Sequence, residues 1–309
     1  MNTINLVSVF KDFVSAEGLE DQKILLLISG GVDSMVLLDV ASRSHKAQNL
    51  SVMHFDHQTR PETLVERQMI ENRCKTLNID FCGKLIDECA KNVESSWRSQ
   101  RHKLSTEFAQ KISAIRILTA HHATDLVETM LFRMTKGCGV AGLSPFETST
   151  KPFWQVPKSQ IITYAEENQI QWIEDPTNAE NDHDRNRIRN EVLPALRKIT
   201  PNLEKVFVNE AHTFGLTQDY LQQNVDAFLK EKLTPCGGGT GGGLNLSELL
   251  SLHPIIQTEF LRSICPKTPS AAEMKDFLRW IENNPEGGSQ KELGGQEFQI
   301  EKQTLIWET

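Results

Sequence analysis

"LLLISGGVDSMVLL", residues 25–38, is an apolar run of the kind that fills a core, and it breaks for six small or polar residues before resuming. The break consists of Ser29, Gly30, Gly31, Val32, Asp33 and Ser34. A strand that enters a helix through Ser-Gly-Gly is suited to an oxyanion. The glycines let backbone N–H groups come close to a phosphate, and the helix N-terminus adds the positive end of its dipole. Ser29 and Ser34 offer hydroxyl donors. Asp33 fits beside phosphates chiefly if a Mg2+ bridges them, which makes it the candidate metal ligand. No GK[ST] follows, so this is not a Walker A loop. An ordinary turn with Asp33 as a cap is the weaker reading, since such a turn needs neither both glycines nor both serines.

Working outward, residues 23–28, 50–55, 79–86 and 115–119 read as short strands. Residues 34–41, 61–77, 94–112 and 123–135 read as helices between and after them. That alternation predicts an α/β fold with a doubly wound parallel sheet, with ligands at the carboxyl ends of the strands. Leu6, Val9, Phe10 and Phe13 recur at helical spacing and predict an opening helix. Beyond residue 143 the pattern loosens, with Pro145, Pro152 and Pro157 marking an extended connection and residues 159–168 reading as helical again. "CGGGTGGG", residues 236–243, reads as a flexible loop, residues 270–283 as a helix, and "EFQIEKQTLIWE" as a β-hairpin with Phe298, Ile300, Leu305 and Trp307 as its apolar positions. The expected division is a large α/β domain, 1–215, and a small α+β domain, 216–309.

The 309 residues suffice for two domains. No apolar run reaches membrane-spanning length and no signal peptide is evident, so a cytoplasmic location without a membrane partner is expected. The six cysteines include no CxxC pair, which predicts a reducing compartment and neither a zinc nor an iron–sulfur site. The net charge of -8 disfavours broad nucleic-acid binding, so any such partner must meet a local basic patch. Monomer and homodimer are both left open.

Three further segments carry chemistry. "MHFDHQTRPE", residues 53–62, ends the second strand, and His54, Asp56 and His57 are candidates for a polar pocket wall, with a helix cap and solvated histidines an equal alternative. In "TAHHATDLVETMLFRMTKGCGVAGL", residues 119–143, His121, Asp125 and Glu128 have the spacing of one helix face. Two carboxylates there suit Mg2+ or the ammonium of an amine substrate. "GCGVAG" within that segment fits GxGxxG but follows a helix instead of a strand, and it reads as a loop or lid. In "WIEDPTNAENDHDRNRIRNEVLP", residues 172–194, Arg185, Arg187 and Arg189 form a basic cluster suited to phosphates or nucleic acid. A solvated helix face is the plainer alternative.

Residues 29–34 resemble the PP-loop of the N-type ATP pyrophosphatases, which implies an adenine nucleotide α-hydrolase-like fold and cleavage of ATP between its α and β phosphates. Taken together, the PP-loop, "HFDH", "ESSWRSQRH" with Arg98 and Arg101, "AHHATDLVET", "KGCGVAGL" and "WIEDPTN…DRNRIRNEVLPAL" resemble the tRNA(Ile)-lysidine synthase family over most of residues 23–200. One position departs from it: Thr124 stands where the family commonly has an aspartate. The segment "LGGQEFQIEKQTLIWE" is similar to the family's small accessory domain, expected to bind tRNA, and a further C-terminal domain of longer members is expected to be absent.

The resemblance implies ATP and Mg2+ as cofactors, with L-lysine and the CAU-anticodon tRNA(Ile) as substrates. ATP adenylates the C2 oxygen of the wobble cytidine and diphosphate leaves; the lysine amine then attacks C2 and AMP leaves. In that scheme residues 29–34 hold the departing diphosphate, Asp33 the Mg2+, and Asp125 and Glu128 the lysine ammonium, with His121 beside them. Arg98, Arg101, Arg187 and Arg189 are the candidates for tRNA contact. The competing readings are a PP-loop tRNA thiolase, which generally needs paired catalytic cysteines, and a non-catalytic nucleotide-binding protein.

Overall fold

The apolar run before the break becomes a strand because both of its sides are covered. The computed structural model describes residues 4–56, 62–85, 93–174, 184–232, 234–235, 242–284 and 287–307. Strands β1 (Ile24–Leu27), β2 (Leu50–Asp56), β3 (Asp80–Leu85) and β4 (Arg116–Leu118) form a parallel sheet in the order β3-β2-β1-β4. Helices α1 (Leu6–Ala16), α2 (Val32–Ser44), α3 (Glu62–Leu77), α4 (Val93–Lys111) and α5 (Ala123–Lys136) are interleaved with them. There follow α6 (Val140–Leu143), α7 (Lys158–Glu167), α8 (Asp184–Arg187), a π-helical turn (Ile188–Val192), α9 (Leu193–Ile199) and α10 (Leu203–Lys232).

Ile24, Leu26 and Ile28 pack on one face of the sheet with Phe10, Leu37, Val40, Ile70 and Ile161. Leu25 and Met53 pack on the other with Ala109 of α4 and the partly buried Phe108. A strand buried on both faces reads as a continuous apolar run rather than an alternating one. The chain steps from β1 to β2 to β3, then crosses back to set β4 on the far side of β1. With right-handed crossovers, that reversal puts α4 on the face opposite α2 and α3, which is the arrangement the two core clusters record. It also opens a crevice at the carboxyl ends of β1 and β4, where open α/β sheets bind ligands. The PP-loop leaves β1 there, and residues 119–122 leave β4 there.

The chain divides into two compact units, Met1–Thr213 and Phe214–Thr309, and the division falls within α10. In the second unit β5 (Thr234–Pro235), β6 (Gly242–Asn245), β7 (Gly287–Leu293), β8 (Gln296–Glu301) and β9 (Thr304–Trp307) make an antiparallel sheet of order β5-β6-β9-β8-β7. Its helices are α11 (Leu246–Ser251), α12 (Pro254–Ile264) and α13 (Ala271–Asn283). The expected hairpin is β8 and β9. Phe298 pairs with Trp307 and Ile300 with Leu305, and all four are buried. Lys302 and Gln303 take φ of 46° and 64° between the strands, as a two-residue turn matching strand twist requires.

Two expectations are corrected. Gly242 and Gly243, expected in a flexible loop, lie in β6 opposite Trp307 and Ile306, while residues 236–241 lie outside the described residues. "GCGVAG" is not all loop: Gly137 ends α5 with φ 77°, and the last residues wind into the single turn of α6.

Candidate active site

The PP-loop is braced by its own serine. Ser34 Oγ donates to Gly31 O (2.9 Å) and accepts from the N–H groups of Ser29 and Gly30 (3.2 Å each), with Ser29 Oγ also 3.2 Å away. Gly30 has φ 93°, a conformation L side chains rarely adopt. A Cβ there would meet only ordinary contacts with Glu66 and Ile70 at 3.6–3.7 Å, so the requirement for glycine is conformational, not steric. Gly30→Ala should therefore lower stability by about 1–2 kcal/mol. Urea unfolding would measure this, and a loss below about 0.5 kcal/mol would contradict the strain argument. Gly31 is the N-cap of α2 and has no capping side chain, so the first N–H groups of this helix are left for another acceptor. Ile173 N donates to Gly30 O (3.1 Å), which ties the segment beginning at Trp172 to the loop.

Asp33, in the first turn of α2, takes both its oxygens to Lys158 Nζ at 2.6 and 2.5 Å. Lys158 was not expected from the sequence. Its signal was local: a lysine at the first position of α7 sits at the positive end of the helix dipole, which is unfavourable without an acidic partner. The spacing of this pair is fixed from behind. Buried Asp39 of α2 binds Tyr164 of α7 (2.9 Å), Arg73 of α3 (2.8 Å) and Arg43 (2.8 Å). Burial and then the bond to Asp39 push the Tyr164 hydroxyl up to about 12, so it stays a donor to that carboxylate.

The residues after β4 differ from expectation. His121, expected on the same helix face as Asp125 and Glu128, precedes the helix. Its Nδ1 lies 2.8 Å from Thr119 Oγ1 and its ring 5.8 Å from that of Phe146. The reason is that His122 caps α5. His122 Nδ1 accepts from Asp125 N (3.2 Å), and Asp125 Oδ2 accepts from His122 N (3.0 Å), a reciprocal capping box. That bonding assigns the ring proton to Nε2, which faces Asp33 Oδ1 at 3.5 Å. Thr124 donates to Glu204 (3.2 Å) and accepts from the backbone N–H of Lys158 (3.2 Å), while Arg197 pairs with Glu204. An aspartate at 124 would set a second carboxylate against Glu204, so threonine suits this chain and helps seat the start of α7.

Glu128 is nearly buried and takes a two-pronged contact from Arg189, Nε at 2.7 Å and Nη2 at 2.8 Å. Arg189 Nη2 also lies 3.8 Å from Asp125 Oδ1. The bond to Glu128, with the nearby Asp125 and Asp33, holds the Arg189 guanidinium above its ordinary value against the opposing effect of burial. Arg189 sits in the π-helical turn, a distortion common at functional sites. Lys158 and Arg189 thus face Asp33, Asp125 and Glu128 across the crevice.

The other expected residues fall around this group. His54 Nδ1 donates to Ile28 O (2.9 Å), and burial lowers the ring's basicity, leaving Nε2 a buried acceptor with no partner among the described residues. Asp56 is buried at the end of β2, and His57 lies outside the described residues. Arg101 is exposed on α4, and Arg98 is on the same helix. Arg185 lies over the Phe132 ring at 5.5 Å, and exposed Arg187 is 3.9 Å from Glu191. Among the described residues no three His, Cys, Asp or Glu side chains form a ready-made metal cage, and no helix is long and apolar enough to cross a membrane.

A strand, a Ser-Gly-Gly loop braced by Ser34 and an uncapped helix at the topological reversal define a phosphate-binding domain of the PP-loop class. The family model of the PP-loop domain matches residues 3–196, and the chain belongs to that family. Among curated proteins it is 38% identical over 197 residues to the tRNA(Ile)-lysidine synthase of Petrotoga mobilis, covering 60% of this chain and 63% of that protein. It is 29% identical over 304 residues to the tRNA(Ile)-lysidine synthase of Bacillus subtilis, covering 90% of this chain and 64% of that protein. The chain therefore spans less than two thirds of the length of these relatives. Among solved structures, the U34-tRNA thiolase NcsA from Methanococcus maripaludis, with its [4Fe-4S] cluster, superposes with a TM-score of 0.56 at 14% identity, covering 67% of this chain and 78% of that one. That likeness concerns the fold.

Proposed function

We propose that the chain uses ATP to join lysine to C2 of the wobble cytidine of a CAU-anticodon tRNA(Ile), through an adenylated tRNA, releasing diphosphate and AMP. The observation that carries this reading is the meeting, at one crevice, of a phosphate-type loop with two further carboxylates, Asp125 and Glu128, and with Arg189 from the basic segment. A phosphate loop alone would suit any nucleotide-binding protein. The carboxylates add what a cationic amine substrate needs.

The N–H groups of the PP-loop and of the first turn of α2 cradle the departing diphosphate. Lys158 Nζ, which meets Asp33 in the first turn of α2, would pair with phosphates bound at the loop and follow the charge as it develops. Asp33 is part-exposed, but both its oxygens hold Lys158, so it would take up a Mg2+ only as that ammonium moves off to the phosphates; the bound ion would offset the diphosphate charge. Lysine carries two ammonium groups, so Asp125 and Glu128 can anchor one while the other, once deprotonated, attacks C2. Arg98, Arg101 and Arg187 lie on helices bordering the same domain and are the proposed tRNA contacts.

The cysteines favour this reading over the thiolase. No CxxC occurs in the sequence, so the close cysteine pair that sulfur transfer commonly uses is not encoded there. The test is to follow labelled ATP. AMP should form only when tRNA and lysine are both present. AMP formation that needs a sulfur donor would favour the thiolase, and binding without turnover would favour the non-catalytic protein.

A further inference from the structure

We infer that Glu204 is a positioning residue for Lys158: its carboxylate orients the Thr124 hydroxyl to cap the first residue of α7, and so sets where the Lys158 ammonium stands against Asp33. This deepens the proposed function and rests on the role given there to Lys158. Its ground is a chain of hydrogen bonds. Thr124 Oγ1 donates to Glu204 Oε1 (3.2 Å) and accepts from Lys158 N (3.2 Å), and Lys158 Nζ holds both oxygens of Asp33 (2.6 and 2.5 Å). A residue of α10 is thereby joined to the turn that follows the PP-loop.

Burial gives that chain its direction. Thr124 and Glu204 are only 6% and 8% exposed, so water competes poorly for either. A hydroxyl has a single proton. Once the proton is given to the carboxylate, a lone pair is left for the Lys158 N–H. A charged acceptor also polarises the hydroxyl, which strengthens the second bond. Glu204 is itself held in place. Arg197 pairs with it, balancing a charge that would be costly to bury alone. Leu203, the residue before it, packs with Val127 of α5 and keeps the start of α10 against that helix.

The start of α7 needs this cap. Pro157, at the N-cap, offers no side-chain acceptor, so the first N–H groups of the helix must find partners elsewhere. Ala123 N donates to Val156 O (2.9 Å) and ties the approach to α7, and Asp39 holds Tyr164 deeper in the helix. The first turn lies between these two points, and helix ends fray. The Thr124 hydroxyl fixes that turn at the residue whose ammonium meets Asp33.

The plainer alternative is that Glu204 and Arg197 only tie α9 to α10, with the Thr124 hydroxyl a satisfied bystander. The two roles move different quantities. A structural tie lowers stability and leaves the rate per folded molecule unchanged. A positioning residue lowers kcat, and its effect vanishes once residue 158 has no ammonium to position.

The test measures diphosphate release from ATP, with CAU tRNA and lysine present, beside thermal unfolding of the same full-length variants. Lys158→Met should lower kcat by about 10²-fold, as loss of a charge aimed at the departing group does. Thr124→Val, which keeps the shape and loses both bonds, and Glu204→Met should each lower kcat by about tenfold, the scale of a small misplacement. KM for lysine should stay within about twofold, since the ammonium seat is untouched. Thr124→Ser and Glu204→Gln, which keep a hydroxyl and an acceptor, should recover most of the rate. In the Lys158→Met background, Thr124→Val and Glu204→Met should cost nothing further. If Glu204→Met does not fold, Thr124→Val and Thr124→Ser still carry the test, because neither touches the pair with Arg197. Full kcat in Thr124→Val while Lys158→Met is impaired, or losses that multiply with that of Lys158→Met, would overturn the positioning role alone. Full kcat in Lys158→Met would remove the role of Lys158 and this inference with it.

Discussion

Asp33→Asn is expected to reduce diphosphate release by roughly 10²–10⁴-fold while leaving the fold intact. The two halves of this expectation come from the same geometry. Both Asp33 oxygens hold Lys158 Nζ, at 2.6 and 2.5 Å, beside the N–H groups of the PP-loop. An amide offers one acceptor and no charge, so the cation loses its seat and the loop its nearest carboxylate. Stability should change little, because Lys158 and Asp33 are part-exposed, at 33% and 28%, and such pairs add about 1 kcal/mol or less. Diphosphate release and thermal unfolding measured on the same preparation would separate the effects. Near-normal release would end the role given to Asp33, and a collapse of stability would mean that the pair is structural.

Glu128→Gln should act at the other half of the reaction. Lysine transfer is expected to fall by about 10²-fold or more, since a neutral amide cannot balance an ammonium in a nearly buried seat. Diphosphate release in the presence of tRNA should stay within about tenfold, because Glu128 lies outside the PP-loop. Removing one partner of a fully buried pair can cost 3–5 kcal/mol, but Arg189 can turn to water, so a loss of about 1–2 kcal/mol is expected. Comparison of AMP and diphosphate yields per turnover reads the split directly. An equal loss of both would place Glu128 in the first step or in the fold.

The parts of this site that could be read in the sequence are the local ones. Residues 24–28 are apolar throughout because the strand packs on both faces, with only Leu27 partly buried, and the Ser-Gly-Gly-Val-Asp-Ser break encodes its own brace between Ser29 and Ser34. Lys158 was not legible as a site residue because its partner is 125 residues away, and only packing of α2 against α7 brings them together. Glu128 and Arg189 were each visible, but their pairing across 61 residues was not. The i,i+4 spacing of His121 and Asp125 predicts a shared helix face, but the helix begins only at Ala123. The pattern that mattered was His122 to Asp125, a capping box in an unusual residue type. In the second unit the hairpin was legible from its alternation, whereas β7, "GGSQKEL", has only one buried residue, Leu293, and gives no apolar pattern to read. The thirty-residue α10 escaped for a related reason: Val206, Leu216 and Tyr220 are exposed, and Gly215 interrupts its interior.

Joining of lysine to a single tRNA base makes the anticodon decide the outcome. Labelled lysine is incubated with ATP and two transcripts of the same tRNA(Ile), one bearing CAU and the other UAU. The account predicts ATP-dependent label in the CAU transcript and none above background in the UAU transcript. Equal labelling of both, or no labelling while ATP is still consumed, would contradict it.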